Sequence, residues 1–102
     1  MNRKEIAKDF ANSLNHPEIE KIILFGSVAR GEDIDESDID MLIITKNDDE
    51  SKINSDIYTK VFNILITTGQ RISIKMRSKE YYNKYINSSF LSNVEKDGIL
   101  LN

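Results

Sequence analysis

Two short groups of residues in this chain have types and spacings that suit phosphate chemistry. Gly26 and Ser27 follow one apolar stretch, and Asp38 and Asp40 stand two positions apart where the next apolar stretch begins. Side chains of a strand alternate between its two faces, so the two aspartates point the same way. Carboxylates are preferred Mg²⁺ ligands, and a glycine turn lets backbone amides approach a phosphate. These residues therefore predict a divalent-metal and nucleotide site.

The segment that contains these residues resembles a known protein family. It reads Gly-Ser-Val-Ala-Arg-Gly over residues 26–31 and Ser-Asp-Ile-Asp over residues 37–40, and an apolar run follows. This pattern is similar to that of the minimal nucleotidyltransferases (MNT proteins) of the DNA-polymerase-β-like superfamily. The resemblance implies one minimal nucleotidyltransferase domain over residues 1–102. It also implies that Asp38 and Asp40 are the catalytic residues and the metal ligands.

The same motif implies the residues that bind the nucleotide, namely Gly26, Ser27, Arg30 and Ser37. Ser27 could donate its hydroxyl to a phosphate oxygen. For Arg30 two roles stay open, a contact to a phosphate or a surface ion pair with a neighbouring acid of residues 32–33. For Ser37, shaping the turn that enters the following strand is favoured over a contact to the substrate.

The resemblance also implies an activity and a partner. MNT proteins transfer AMP from ATP with the help of one or two Mg²⁺ ions. They are often encoded beside a HEPN-domain protein, the one acting as antitoxin and the other as an RNase toxin, and the acceptor of AMP is thought to be that partner. The expected function is therefore Mg²⁺-dependent adenylylation of a HEPN-type protein. The alternative is a catalytically weak or inactive protein of the same fold that binds and docks on its partner.

A departure from the family pattern keeps that alternative open. Active members carry a third carboxylate on a later strand, facing the first two. In this chain residues 71–77 should form that strand, and the side chains of its polar face are Arg71, Ser73, Lys75 and Arg77. Three explanations remain: a different strand register, an acid supplied by Glu80 or by a partner chain, or weak catalysis. If Lys75 faces the aspartates, it could pair with them or contact the triphosphate; otherwise it is a solvated lysine.

Composition excludes several other classes of protein. The 102 residues carry a net charge of −3, which argues against a strong direct nucleic-acid surface. No apolar run approaches the roughly 20 residues that span a bilayer, and without cysteine there is no disulfide framework. We therefore expect a cytoplasmic protein that does not associate with membranes.

Hydrophobic periodicity predicts an α/β (α+β) fold, a small mixed β-sheet with helices packed on it. Helices are expected at 2–14, 27–31, 52–68, from Ser78, and from Phe90 to near Gly98, strands at 20–25, 39–45 and 71–77, a loop at 46–51, and either a strand or a docked tail at 99–101. Four phenylalanines are expected in the core: Phe10, Phe25, Phe62 and Phe90. On the helix after Ser78, we expect Tyr82, Tyr85 and Ile86 to point inward.

Overall fold

The computed structural model describes residues 2–47 and 51–102 and shows a four-stranded sheet with helices on both faces. Residues 48–50 of the predicted loop lie outside the described residues. In chain order the elements are α1 (Arg3–Asn12), β1 (Ile19–Phe25), α2 (Gly26–Arg30), β2 (Ile39–Thr45), α3 (Ser51–Thr68), β3 (Ile72–Ser78), α4 (Lys79–Lys84), α5 (Ser89–Asp97) and β4 (Ile99–Leu100). The predicted elements are present, with ends that shift by one or two residues.

The sheet has the strand order β3-β2-β1-β4 and is mixed. β1 pairs antiparallel with β2 and with β4, whereas β2 and β3 are parallel. The parallel pair is connected through α3, because parallel strands need a long crossover. The predicted mixed sheet is thus confirmed, and the C-terminal residues form the strand β4 rather than a docked tail.

Each face of the sheet contributes to its own apolar cluster. The first face packs on α1 and α3, with Phe10, Leu24, Met41 and Ile57 fully buried. The second face packs on α4 and α5 and is smaller, centred on Leu42. Central strands covered on both sides read as continuous apolar runs, as β2 does.

Local signals account for three of the helix ends. The side chain of Ser78 accepts a hydrogen bond from the Tyr81 amide at 3.0 Å, so the predicted N-cap of α4 is confirmed. Gly31 ends α2 and Gly69 follows α3, each with a left-handed backbone at φ +73° and +75°. Such a backbone favours glycine, since it carries no Cβ.

Three aromatic residues predicted to be inward are exposed. Phe62 is 59% exposed and Phe90 36%, so neither belongs to the core. On α3 the inward side includes the buried Ile57. Phe62 follows five positions later, which rotates its side chain to about 140° from that of Ile57, and it therefore lies on the outer side of the helix. Tyr85 is 42% exposed because α4 ends at Lys84. Phe10 and Tyr82 are buried as predicted, and Phe25 and Ile86 pack against the second cluster.

Candidate nucleotidyltransferase site

The two predicted carboxylates lie at the start of β2, on the second face of the sheet. Asp40 lies two positions before the buried Leu42 in β2, so both side chains are on the same face of the sheet. Asp38 lies two positions before Asp40, just ahead of the strand. Both residues are partly exposed. The predicted pair therefore shares one face at the open edge of the second apolar cluster.

Gly26 lies directly against Asp40. Phe25 is the antiparallel strand partner of Asp40, so the first residue after β1 meets this carboxylate. A Cβ placed on Gly26 would overlap the Oδ2 atom of Asp40, and the backbone at Gly26 has φ +77°. The structure thus brings the glycine-serine turn and the carboxylate pair together, and both the contact and the backbone conformation require glycine.

The charge environment of Asp40 is mixed. Burial raises the pKa of Asp40 above its ordinary value of 3.8, and the negative charge of Asp38 raises this pKa further. The positive charges of Lys75 and Arg30 act in the opposite direction on the same pKa. A carboxylate whose pKa is raised by burial and by a neighbouring negative charge gains from a bound cation.

The strand β3 places its polar side chains beside the pair. In the parallel register Asp40 is opposite Ser73 and Leu42 is opposite Lys75, so Ser73 and Lys75 leave the sheet on the face that carries Asp40. Lys75 is exposed, and its Nζ atom lies 5.7 Å from the centre of the Phe90 ring. Lys75 therefore lies on the face of the sheet that carries Asp40, as the prediction of a role for Lys75 required. Its pairing with the aspartates or with a triphosphate stays a prediction.

The expected third carboxylate is absent from β3. All seven residues of this strand are described, and none is acidic. Glu80 lies beyond the opposite end of β3, seven positions after Ser73, roughly 20 Å along the chain direction. No group of three acids, histidines or cysteines that could hold a metal occurs among residues 2–47 and 51–102. An altered register and a contribution from Glu80 are both excluded.

A salt bridge occupies the more exposed carboxylate. The Arg71 Nε atom lies 3.1 Å from the Asp38 Oδ1 atom, and both side chains are well exposed. The backbone carbonyl of Arg71 also accepts a hydrogen bond from the Ile39 amide at 2.8 Å. The sequence predicted Arg71 only as a polar residue of the strand. Its position directly before β3, which runs parallel to β2, is the signal that could have placed it beside Asp38.

Arg30 and Ser37 make local contacts in this structure. The Nε atom of Arg30 donates to Oε1 of Glu32 at 2.6 Å, and this hydrogen bond raises the pKa of Arg30. The hydroxyl of Ser37 accepts from the Ile34 amide at 2.9 Å and so shapes the turn before β2. The nucleotide-binding roles of both residues, and of Ser27, stay predictions.

Arg3 of α1 holds the acidic loop that leads into Asp38. Its guanidinium donates to Oδ2 of Asp33 at 2.6 Å and to the backbone carbonyls of Ile34 and Asp35 at 2.7 Å each. A further bond joins Nε of Arg3 to Gln70 at 2.8 Å. The hydrogen bond from Arg3 lowers the pKa of Asp33 below its ordinary value of 3.8. Sequence reasoning missed Arg3, because its partners are distant in the chain.

Comparison with known proteins identifies the family of this chain. Residues 5–101 match the family model described as "Polymerase beta, Nucleotidyltransferase". The match covers nearly the whole chain, and the chain therefore belongs to this nucleotidyltransferase family, as the motif predicted. A relative in Methanocaldococcus jannaschii, named "Putative protein adenylyltransferase MJ0604", is 42% identical over 99% of each chain. The chain is thus adenylyltransferase-like.

Two solved structures show the same fold. One is a toxin–antitoxin structure with AMP-PNP, which matches with a TM-score of 0.60 at 18% identity, over 100% of this chain and 73% of that chain. The other is a complex of tri-AMPylated Shewanella oneidensis HEPN toxin with MNT antitoxin, at a TM-score of 0.56 and 13% identity, over 97% and 71% of the two chains. These likenesses confirm the predicted fold class. In the described part of this chain, no helix is long and apolar enough to cross a membrane.

Proposed function

We propose that this chain transfers AMP from ATP to a hydroxyl of a HEPN-type partner protein, with one Mg²⁺ ion held by Asp38 and Asp40. The observation that carries the proposal is the contact of Gly26 with Asp40, which unites the two halves of the motif. The adenylyltransferase name of the relative MJ0604 and the AMPylated HEPN toxin in a structure of the same fold support it.

The residues present suit one Mg²⁺ ion. Magnesium is commonly bound through one or two carboxylates, with water and substrate phosphates completing its shell. Asp38 and Asp40 supply two carboxylates on one face, whereas β3 adds Ser73 and Lys75 and no further acid. When bound, the ion would neutralise phosphate charge. A second ion would need a further acid. Of the two sources expected from the sequence, Glu80 and a partner chain, only the partner chain remains.

The protein's own residues then have distinct tasks in the proposed reaction. An acceptor hydroxyl oxygen forms a bond to the α-phosphorus, the bond from that phosphorus to the bridging oxygen breaks, and pyrophosphate leaves while the hydroxyl proton passes to solvent. Gly26 leaves room for phosphate beside Asp40, and Ser27 offers a hydroxyl donor. Lys75 and Arg71 supply positive charge near the leaving pyrophosphate, which is the electrostatic contribution that phosphoryl transfer needs.

The surface of α3 supports a protein partner. Four large apolar side chains follow one another along its outer side and are 37% to 67% exposed: Tyr58, Phe62, Leu65 and Ile66. Residues 61–69 carry no charge at all. Contiguous exposed apolar surface of this kind marks sites of protein interaction. We call these four residues the α3 stripe and propose that it contacts the partner.

The second candidate function, a binding protein without catalysis, is favoured by one observation. Ser73 stands where the strand register places a residue beside Asp40, and a serine cannot accept the acceptor's proton at neutral pH. Such a protein would bind ATP and its partner without transferring AMP.

The deciding experiment is transfer of label from α-³²P-ATP to a candidate HEPN protein in the presence of Mg²⁺. We expect label on the partner with the native protein and with Asp35→Asn, which removes an exposed loop carboxylate. Asp38→Asn and Asp40→Asn should abolish labelling. ATP binding without transfer by the native protein would establish the second candidate, and labelling that survives both site variants would refute the assignment of the carboxylates.

A further inference from the structure

A cleft beside the candidate site lies between α2 and α5. Its volume is about 230 Å³, and its lining includes Phe25, Gly26, Arg30, Phe90 and Asp97, together with Asn93. Gly26 also touches Asp40, so the cleft opens directly beside the carboxylate pair. The volume lies below the usual range for sites that enclose a whole drug-sized ligand, and it suits one part of a nucleotide.

One wall of the cleft is aromatic. The rings of Phe25 and Phe90 meet edge to face, with centroids 5.3 Å apart and planes inclined by 82°. Phe90 nevertheless keeps 36% of its surface exposed. An aromatic side chain that is anchored by a second ring and still exposed presents a platform on which a flat heteroaromatic ring can stack.

Helix α5 also brings a polar side chain of defined chemistry to the cleft, three positions after Phe90. Asn93 is exposed, and its amide makes no hydrogen bond to any of the residues that the structure describes. An amide carries a donor and an acceptor side by side, which matches the amino group and the ring nitrogen at one edge of adenine. Asn93 therefore could read a base that stacks on Phe90.

The distribution of charge orients the ligand. Asp97 lines the cleft and its negative charge contributes to the raised pKa of Arg30, so a carboxylate lies at this end. The Asp97 carboxylate disfavours a phosphate at this end, and the Arg30 guanidinium of the same lining is already paired with Glu32. Lys75, whose Nζ atom lies 5.7 Å from the centre of the Phe90 ring, and the proposed cation lie toward Asp40. The polyphosphate therefore belongs at the Asp40 end and the uncharged nucleoside in the cleft.

We propose that this cleft is the subsite for the adenine ring of the nucleotide, with Phe90 as the stacking surface and Asn93 as the residue that distinguishes adenine from guanine. The inference rests on the proposed function and adds two specificity-determining residues on α5 to it. It requires nothing of the acceptor protein, so it can be tested on the isolated chain.

The test compares ATP with inorganic tripolyphosphate, which has the phosphates and lacks the nucleoside. Calorimetry with Mg²⁺ would give the dissociation constants of both ligands for the native protein, Phe90→Leu, Phe90→Trp, Asn93→Ala and the control Asn63→Ala, which removes an exposed amide from α3. We expect Phe90→Leu and Asn93→Ala to weaken ATP binding about 10-fold, the range of one lost stacking or base-edge contact. Tripolyphosphate binding should not change, and Phe90→Trp should retain the native affinity for ATP.

The outcomes separate this inference from the proposed function. Equal affinity for ATP in the native protein, Phe90→Leu and Asn93→Ala would overturn the subsite while the site at Asp38 and Asp40 stands. A parallel loss of both ligands in these variants would also overturn it, because the residues would then act on the fold. A native protein that binds neither ligand would refute the proposed function and the subsite together. A preference for ATP over GTP that disappears in Asn93→Ala would support the role of Asn93.

Discussion

Ser73 of β3 is the parallel strand partner of Asp40 of β2, and both side chains leave the sheet on the same face. In the family pattern a carboxylate is expected opposite the first two, and Ser73 is the residue that this register places next to Asp40. Within residues 2–47 and 51–102, the structure therefore places no third acid beside the pair. It leaves a two-carboxylate site with Arg71 and Lys75 nearby.

Restoring an acid at this position should strengthen cation binding. For Ser73→Asp we expect Mg²⁺ or Mn²⁺ affinity to rise on the order of 10-fold, because metal affinity follows the number of charged ligands. Without metal the variant should be less stable than the native protein, because three like charges meet, and Mg²⁺ should reverse that loss. Thermal unfolding with and without Mg²⁺ checks both effects. Thr59→Asp, which adds the same charge on an exposed position of α3, is the control, and an equal gain in that variant would contradict the placement.

The contact of Gly26 with Asp40 gives a second prediction. Gly26→Ala should destabilise the protein by more than Gly31→Ala, although both residues have a left-handed backbone. At Gly31 no atom lies within 4 Å of an added Cβ, so only the conformational cost of about 1–2 kcal/mol applies. At Gly26 the overlap with Asp40 adds about 1–3 kcal/mol.

Chemical denaturation of the two glycine variants measures this difference. ATP binding should also be lost in Gly26→Ala and kept in Gly31→Ala, since only the former displaces the Asp40 carboxylate. Equal stability losses in the two variants would mean that the Asp40 side chain moves away without a cost in free energy. The contact between Gly26 and Asp40 would then not be required for function.

The Arg3–Asp33 pair predicts a pH dependence of stability. The pKa of Asp33 is lowered in the folded state, so its contribution is present above the unfolded pKa near 3.8 and is lost as the pH falls below it. The native protein should therefore be more stable than Arg3→Met above about pH 5, and this difference in the free energy of unfolding should shrink toward pH 3.

Urea unfolding of native protein and Arg3→Met across this pH range tests the pair. Arg30→Met is a suitable control, because its partner Glu32 lies two residues away and both side chains are well exposed, at 44% and 65%. A difference for Arg3→Met that stays constant with pH would show that Arg3 acts through its uncharged acceptors, the backbone carbonyls of Ile34 and Asp35 and the side chain of Gln70.

The α3 stripe separates stability from partner binding. Phe62→Ser should change the free energy of unfolding by no more than about 0.5 kcal/mol, because the side chain is 59% exposed. Ile57→Ala, at a fully buried position of the same helix, should cost about 2–5 kcal/mol. Co-purification with the HEPN-type partner should fail for Phe62→Ser although this variant is folded. Undiminished binding of the partner by Phe62→Ser would show that the α3 stripe is not part of the interface.

Much of the fold and part of the site could be predicted from the sequence because the signals are local. The alternation along β3 and the apolar run of β2 follow from strand geometry, and the spacing of Asp38 and Asp40 places both on one face. Relationships between distant segments could not be predicted in this way. The register that sets Ser73 beside Asp40, and the reach of Arg3 to the loop at Asp33, depend on packing of the whole sheet.

The failures at Phe62 and Phe90 have a common cause. An apolar side chain in a helix was assigned to the core by residue type, although a helix packed on a sheet buries only one side. Phe62 lies on the outer side of α3, and Phe90 lies at the rim of the cleft rather than inside the second cluster. Phe62 and Phe90 both lie on surfaces for which we propose binding functions.

The most direct test of the central claim, that Asp38 and Asp40 together hold the cation that ATP needs, is calorimetric titration of ATP with and without Mg²⁺. The native protein should bind ATP with Mg²⁺ and lose nearly all of this binding in excess EDTA. Asp38→Asn and Asp40→Asn should bind weakly in both conditions, and Asp35→Asn should behave as the native protein does. ATP binding by native protein that is equally strong with Mg²⁺ and in EDTA would contradict the claim.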